Sequence, residues 1–143
     1  MGTWELGVFM KWICDKHIID DEIVNKIEMQ IGFRFPKDFI EMVMLYDGGY
    51  PLLNRIIIDG NEEVFNNLIS FDEDDESYIL DIISDIEDFE ETNLVPIAED
   101  PFGNLFCYFY DENEVYIVFW NHENSSQIKF ICKTFTELLE LLH

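Results

Sequence analysis

The sequence has few basic residues and leaves a long central stretch without any. It contains 8 Lys and Arg against 31 Asp and Glu, which gives a formal net charge of −23. Between Arg55 and Lys129 there is no Lys or Arg, whereas there are 20 Asp and Glu. A field of this sign repels nucleic acid and anionic membranes and attracts cationic partners. Solubility alone is the alternative explanation for so many acids.

Cysteine is also scarce, and the cysteines share no motif spacing. Cys14, Cys107 and Cys132 are an odd number, and the last two lie inside apolar runs, where a free Cys acts as a small hydrophobic residue. This usage predicts a reduced, cytoplasmic protein. No signal-peptide or myristoylation pattern is visible, and no apolar run approaches the ~18 residues that a membrane span needs.

Motifs for catalysis, cofactors and metals are missing. An acidic run from residue 72 has Ser77 where a calcium-binding EF-hand loop requires Gly. Cys14 and His17 cannot fill the four positions of zinc, and His122 beside Glu123 lacks the cysteine pair of a zinc deaminase. The sequence has no glycine loop that would hold phosphates. We therefore expect no catalytic, cofactor-binding or metal-binding residues, and a protein that is not an enzyme.

The 143 residues, 48% of them hydrophobic, suit one packed domain over 1–143. Apolar spacing predicts helices over residues 3–17, 20–32, 36–49, 77–91 and 134–143. Period-2 or continuous apolar runs predict strands over residues 55–59, 64–71, 94–98, 104–110, 115–120 and 128–132. A strand is the alternative over 77–91, but its acids fill the positions that a helix exposes. The order predicts an α+β fold: a curved, mainly antiparallel sheet flanked by N-terminal helices and a C-terminal helix.

Local signals mark several boundaries of these elements. Asp20 or Asp21 can cap the second helix, and Gly32 can end it. Thr134 and Glu137 form a capping box for the last helix. The segment 100–103 fits a type I turn in which Gly103 can take a positive φ. Asn104 can bond nearby backbone, and we prefer this structural role to a functional one.

Four blocks of sequence resemble the SUKH superfamily, in the order that the superfamily shows. They are "IGFRFPKDFIEMVMLYDGG", "LVPIAEDPFGNLFCYFY", "VYIVFWNHE" and "ICKTFTELLELL". The first is similar to its opening signature, a helix stopped by Asn/Asp-Gly-Gly, and the second to a strand entering an acidic turn closed by Gly-Asn. This chain departs in having Asp47 where many members have Asn, and in a long acidic segment around residues 59–91.

The resemblance implies an α+β fold with a central curved sheet. It also implies a protein that works by binding, since neither branch of the superfamily is known for enzymatic activity. Bacterial members are commonly immunity proteins against toxins that are often nucleases or nucleic-acid deaminases. Fungal relatives are regulators of cell-wall glucan synthesis that act as interaction hubs.

The strands at 104–110 and 115–120 do not alternate apolar with polar residues. Either helices cover both faces of this hairpin, or one aromatic face is left for a partner. The face that bears Tyr and Trp is the better candidate, with Trp120 near its rim, because these residues are enriched in binding hot spots. Core packing is the alternative for most of them.

The expected partner is a cognate toxin with a basic surface, bound by aromatic residues at the centre and acids at the rim. The acids are expected to form one contiguous patch, and they are Asp111, Glu112, Glu114 and Glu123 with Asp72, Glu73, Asp74, Asp75 and Glu76. An intracellular regulatory or scaffold protein is the second hypothesis, and a hydrolase is a weaker third. The sequence makes no prediction of the oligomeric state.

Overall fold

The structure, a computed structural model, describes residues 11–14, 18–124 and 127–143. Within these residues the helices are α1 (Asp21–Ile31), α2 (Lys37–Tyr46), α3 (Ile79–Asp85) and α4 (Phe135–Leu141), with a 3₁₀ helix at Phe89–Thr92. The strands are β1 (Trp12–Ile13), β2 (Tyr50–Pro51), β3 (Arg55–Ile58), β4 (Asn61–Val64), β5 (Asn67–Leu68), β6 (Leu94–Glu99), β7 (Leu105–Tyr110), β8 (Val115–Trp120) and β9 (Ile128–Cys132). The predicted α+β class is confirmed.

The main sheet has five antiparallel strands in the order β5-β6-β7-β8-β9. The last four follow one another as hairpins, as the turn-rich connections predict. The register shifts between Pro96 and Ala98 and again between Ile117 and Val118. Such bulges bend a strand and increase its twist, and this sheet stays open, with β5 and β9 at its edges.

The N-terminal pair of helices begins and ends at the predicted signals. The Asp20 carboxylate accepts a hydrogen bond from the Ile23 N–H at 2.9 Å, and Gly32 ends α1 with φ +82°. Pro36 immediately precedes α2, which ends before Asp47. Because side-chain caps satisfy N–H groups that have no partner within the helix, these short signals were sufficient.

The helix predicted over residues 3–17 is wrong where the structure describes it. Trp12 and Ile13 form β1, which pairs with β2, and the Trp12 ring stacks on Tyr46 at a centroid distance of 5.1 Å. Pairing with a distant strand overrides the local helical spacing here. The rest of that prediction, including His17, lies outside the described residues.

The segment after β2 forms a hairpin of β3 and β4, of which the sequence analysis predicted β3 but not β4. Asp59 and Gly60 both have positive φ, +50° and +80°, the combination that a tight two-residue hairpin turn requires. This turn folds β4 back onto β3, whereas the strand predicted over 64–71 is reduced to the two residues of β5. The helix predicted over 77–91 is broken into α3 and the 3₁₀ helix, because Ile86 is extended and Asp88 is left-handed, with φ +58°.

Helices and the 3₁₀ segment cover most of both faces of the main sheet. On one face, called here the inner face, Phe39 of α2 packs edge-on against Tyr108 at 5.7 Å and against Phe135 of α4 at 5.2 Å. On the opposite, outer face, α3 and the 3₁₀ helix pack over Cys107, Val118 and neighbouring residues. Helices therefore cover both faces of the β7–β8 hairpin over most of its length, which is the first of the two alternatives that the sequence left open.

The C-terminal helix uses its predicted cap with one change. The Thr134 hydroxyl accepts a hydrogen bond from the Glu137 N–H at 3.1 Å, as in a capping box. The Glu137 carboxylate accepts from the N–H of Lys133 at 3.3 Å instead of that of Thr134. The cap fixes the start of α4, which then buries Leu138 and Leu139.

Candidate partner-binding surface

The pairing of β7 with β8 decides which aromatic residues share a face. Tyr110 lies opposite Val115 beside the turn, and the register continues to Leu105 opposite Trp120. Since side chains alternate along a strand, Tyr108 and Tyr110 point to the inner face, and Trp120 points to the outer face. The tyrosines of β7 therefore do not share a face with Trp120, whereas Tyr116 of β8 does.

Trp120 is also buried instead of lying at a rim. It is 4% exposed, and the ring of Phe89 packs edge-on against it at 5.5 Å. Tyr108 is completely buried in the main core. The expectation of an exposed Trp120 is wrong because the 3₁₀ helix crosses the sheet over this residue.

The outer face leaves a different group of aromatic residues accessible. Phe109, Tyr116 and Phe130 come from three adjacent strands, with ring centroids 5.4 Å apart for the first pair and 5.6 Å for the second. We call these three residues the aromatic row. Phe130 is 58% exposed, and its neighbour on the same face of β9, Ile128, is 38% exposed. Phe109 and Tyr116 are half-buried, so the accessible part of the row lies towards the β9 edge. Exposed aromatic residues of this kind are typical of an interaction surface.

The turn between β7 and β8 places acids at the end of the aromatic row. Asp111 and Glu114 close this turn with backbone hydrogen bonds of 2.9 and 3.3 Å, and the Asp111 carboxylate accepts from the Glu112 N–H at 2.8 Å. These three exposed acids are called the acidic turn. A cleft of about 460 Å³ joins the turn to the row, and it is lined by Asp111, Glu114, Val115, Tyr116, Phe130 and Lys133.

Glu123 does not share this rim. It lies in the connection between β8 and β9, at the far end of β8 from the acidic turn, and its N–H donates to the Asn121 side chain. The six residues of β8 separate the two turns by about 20 Å.

The acids at residues 72–76, called the acidic loop, lie beside β5 at the opposite edge of the sheet from β9. Four strand spacings separate these edges by about 19 Å. Asp72 and Asp75 accept hydrogen bonds from backbone N–H groups two residues further on, at 3.0 and 2.8 Å. The predicted acids are therefore spread over three places. The acidic turn adjoins the aromatic row, and the acidic loop adjoins one exposed aromatic residue, Tyr50, in a separate cleft.

Burial and the acidic loop both contribute to a raised pKa of the neighbouring Tyr78. The pKa of Tyr78 is raised above its ordinary value, first by burial and then by the negative charges of Glu73 and Asp81. The loop thus produces a local negative potential, but its carboxylates also hold its own backbone in shape.

The Gly103-Asn104 hallmark has the structural role that we expected. Gly103 has φ +92°, and the buried Asp100 carboxylate accepts from the N–H groups of Phe102 and Asn104, both at 2.8 Å. The Asn104 side chain donates to Asp100 and accepts from the N–H of His122 at 3.1 Å. This network joins the β6–β7 turn to the end of β8.

The sequence analysis missed Phe109 and Phe130 as site residues, whereas Tyr116 belongs to the Tyr-and-Trp-bearing face that it favoured. Counting back from the four-residue turn would have paired position 109 with 116, because 110 and 115 flank the turn. The edge position of β9 also followed from its being the last strand of a meander. No comparable local signal indicated which part of the outer face α3 leaves open.

In the described part of the chain, no three His, Cys, Asp or Glu side chains come together in a group that could hold a metal ion. Among the helices of the described residues, none has the length and apolar character to cross a membrane.

Comparison with known protein families gives a match over most of the chain. A family model described as SMI1-KNR4 cell-wall (SUKH_6) matches residues 21–139, from the start of α1 into α4. No curated protein matches the chain. The matched range contains the whole five-stranded sheet, the acidic turn and the aromatic row. The chain therefore belongs to the SUKH superfamily, in the SMI1-KNR4 family.

Proposed function

We propose that this protein binds and neutralises a cognate bacterial toxin without catalysing a reaction itself. The superfamily includes toxin immunity proteins and members that resemble cell-wall regulators. The observation that carries the proposal is the aromatic row, which ends at the exposed Phe130 at one edge of the sheet and is bordered by the acidic turn. Apolar aromatic residues surrounded by charged groups form the usual anatomy of a specific protein interface.

The charge of the chain favours a partner with a basic surface. A toxin that acts on nucleic acid carries Lys and Arg to hold phosphates. A protein with a net charge of −23 attracts such a surface from a distance and raises the association rate by about 10- to 1,000-fold at low salt. Since screening reduces this field beyond about 8 Å in physiological salt, close contacts by the acidic turn must hold the bound complex.

A cytoplasmic site of action suits the chemistry of the cysteines. Cys107 and Cys132 are buried free thiols. Free buried thiols are stable in a reducing compartment, and nucleic acid, the target of the proposed toxin class, is found there too.

The test uses the toxin domain encoded by the neighbouring reading frame, purified with and without this protein. We expect a stable complex, loss of toxin activity, and an association rate that falls as salt is raised. A complex whose association rate does not change with salt would contradict electrostatic attraction. Absence of any complex or protection would overturn the proposed function, and binding of several housekeeping proteins instead would favour a regulatory or scaffold protein.

A matched pair of variants tests the location of the surface. Converting Asp111, Glu112 and Glu114 to Lys should slow association with the toxin, because these acids border the proposed contact. Converting Glu73, Asp74 and Glu76 to Lys makes the same change in net charge at exposed positions of the acidic loop, beside the opposite edge of the sheet. Equal effects of the two triple variants would mean that net charge matters and the acidic turn does not.

A further inference from the structure

Strand β9 has a hydrogen-bonding partner on one side only among the described residues. It pairs with β8 through Ile128–Trp120, Lys129–Phe119 and Phe130–Val118, and it ends the five-stranded sheet. On the edge of β9 that points away from β8, no backbone hydrogen bond joins the strand to another described element. An edge strand of this kind presents N–H and C=O groups that have no strand beside them. Another segment in an extended conformation can pair with these groups and so add a strand to the sheet.

The side chains of β9 make this edge suitable for binding. Ile128 and Phe130 stand on the outer face, both exposed, and continue the aromatic row to the edge of the sheet. An added strand would place its own alternate side chains about 5 Å from these two residues. The bulge after Phe130 limits the regular pairing to a short segment.

Edge strands are often protected from pairing by an exposed Lys. The single Lys of β9, Lys129, has its ammonium group 3.8 Å from the Asp59 carboxylate, in the turn between β3 and β4. This contact draws the Lys129 side chain towards the inner face and towards its own chain. The face of β9 that carries Ile128 and Phe130 therefore has no Lys within the strand. The nearby cation is Lys133, just past the end of β9, which shares the cleft with Phe130 and the two acids Asp111 and Glu114.

Charge distinguishes between the two occupants that such an edge can take. A second copy of this chain would bring another net charge of −23 to the same surface, together with a second acidic turn. Repulsion between two such copies opposes self-pairing. A segment rich in Lys and Arg instead meets Asp111 and Glu114 at the cleft beside Phe130.

We propose that β9 receives an extended, basic segment of the toxin as a sixth strand of the main sheet. The apolar side chains of this segment cover Ile128 and Phe130, and its basic side chains reach the acidic turn. This inference rests on the proposed function and adds the mode of binding to it.

The first measurement is hydrogen exchange of the full chain, free and in complex with the toxin domain. Exchange of the amides in residues 127–133 should slow by about tenfold or more in the complex, because backbone hydrogen bonds to an added strand protect them. A slowing confined to backbone amides elsewhere in the chain, with residues 127–133 unchanged, would overturn strand addition.

The second measurement compares Phe130→Asp with Phe102→Asp. Both phenylalanines are exposed, 58% and 74%, but Phe102 lies in the turn between β6 and β7. Phe130→Asp should weaken toxin binding by about 30-fold or more, the effect of losing an interface hot spot, and Phe102→Asp should leave it unchanged. Circular dichroism of both variants checks that they fold.

The outcomes separate this inference from the proposed function. Full toxin neutralisation by Phe130→Asp, with no protection of β9, overturns strand addition and leaves the proposed function standing. Failure of the unaltered protein to bind the toxin overturns both. A dimer of this protein in light scattering that Phe130→Asp converts to a monomer would assign β9 to a second copy and overturn the basic segment as its occupant.

Discussion

Asp47 and Ser70, 23 positions apart in the chain, are joined by a buried hydrogen bond of 2.6 Å from the Ser70 hydroxyl to the Asp47 carboxylate. The second carboxylate oxygen of Asp47 accepts from the N–H of Phe71 at 2.8 Å. Asp47 follows the last residue of α2, and Ser70 precedes the acidic loop. One side chain of the family signature therefore fixes the end of a helix against the segment that leaves β5.

Asp47→Ala should destabilise the protein by about 3 kcal/mol, since it leaves a buried hydroxyl and a buried N–H without their acceptor. Asp47→Asn should cost less, because the amide oxygen can still accept from Phe71 and the amide nitrogen can donate to Ser70. Urea denaturation measures both. Asp74→Ala, at an exposed position of the acidic loop, is the control and should change the unfolding free energy by less than about 0.5 kcal/mol.

Asp100→Ala should destabilise the β6–β7 turn by about 2–4 kcal/mol, because Asp100 accepts three hydrogen bonds at 2.8 Å from Phe102 and Asn104. Asp111→Ala makes the same substitution in the β7–β8 turn, where the carboxylate accepts one exposed bond. Its effect should be below about 1 kcal/mol. Similar losses for the two variants, measured by thermal or urea unfolding, would contradict the structural role of Asp100.

The strand meander was predictable because its signals are local. Apolar runs of five to seven residues, separated by Asp, Asn and Gly, define β6 to β9 without any information from the rest of the chain. The Asp59-Gly60 pair was a signal of the same kind for the β3–β4 hairpin, and the sequence analysis used it only as a boundary. The polar composition of β4 concealed the strand, which exists because that turn returns the chain beside β3.

What the sequence analysis got wrong depends on contacts between distant residues. Trp12 forms a strand because it pairs with Pro51, and Trp120 is buried because Phe89 packs on it. Neither relationship leaves a periodic trace in the sequence. The acids show the same limit: their number is plain from composition, but their division among one turn, one loop and Glu123 follows from the order of the strands.

Phe89→Ala tests the covering of Trp120 directly. Removing a buried phenylalanine should cost about 3–5 kcal/mol, and it should shift tryptophan fluorescence to longer wavelength as water reaches the indole. Phe102→Ala, at a position that is 74% exposed, is the control and should change neither quantity appreciably. An unchanged emission spectrum in folded Phe89→Ala would mean that other residues bury Trp120.

The buried thiols and phenols predict a loss of stability in alkaline solution. Burial, followed by the charge of Glu137, raises the pKa of Cys132 from its ordinary value of 9.0 to about 12, and burial raises the pKa of Cys107 well above that ordinary value. Burial also raises the pKa values of Tyr108 and Tyr110. All four groups therefore stay protonated in the folded protein at a pH where the unfolded chain has begun to ionise.

The sign follows from proton linkage. Above pH 9 the unfolded state binds fewer protons at Cys132 than the folded state, so the free energy of unfolding must fall as pH rises towards about 12. Cys132→Val removes this titration, and its stability should fall less steeply over the same range in urea denaturation. A steeper or equal fall would contradict the raised pKa.

Thiol labelling gives an independent measurement: Cys107 and Cys132 should react with a disulfide reagent at neutral pH only after unfolding, because buried neutral thiols are neither accessible nor nucleophilic.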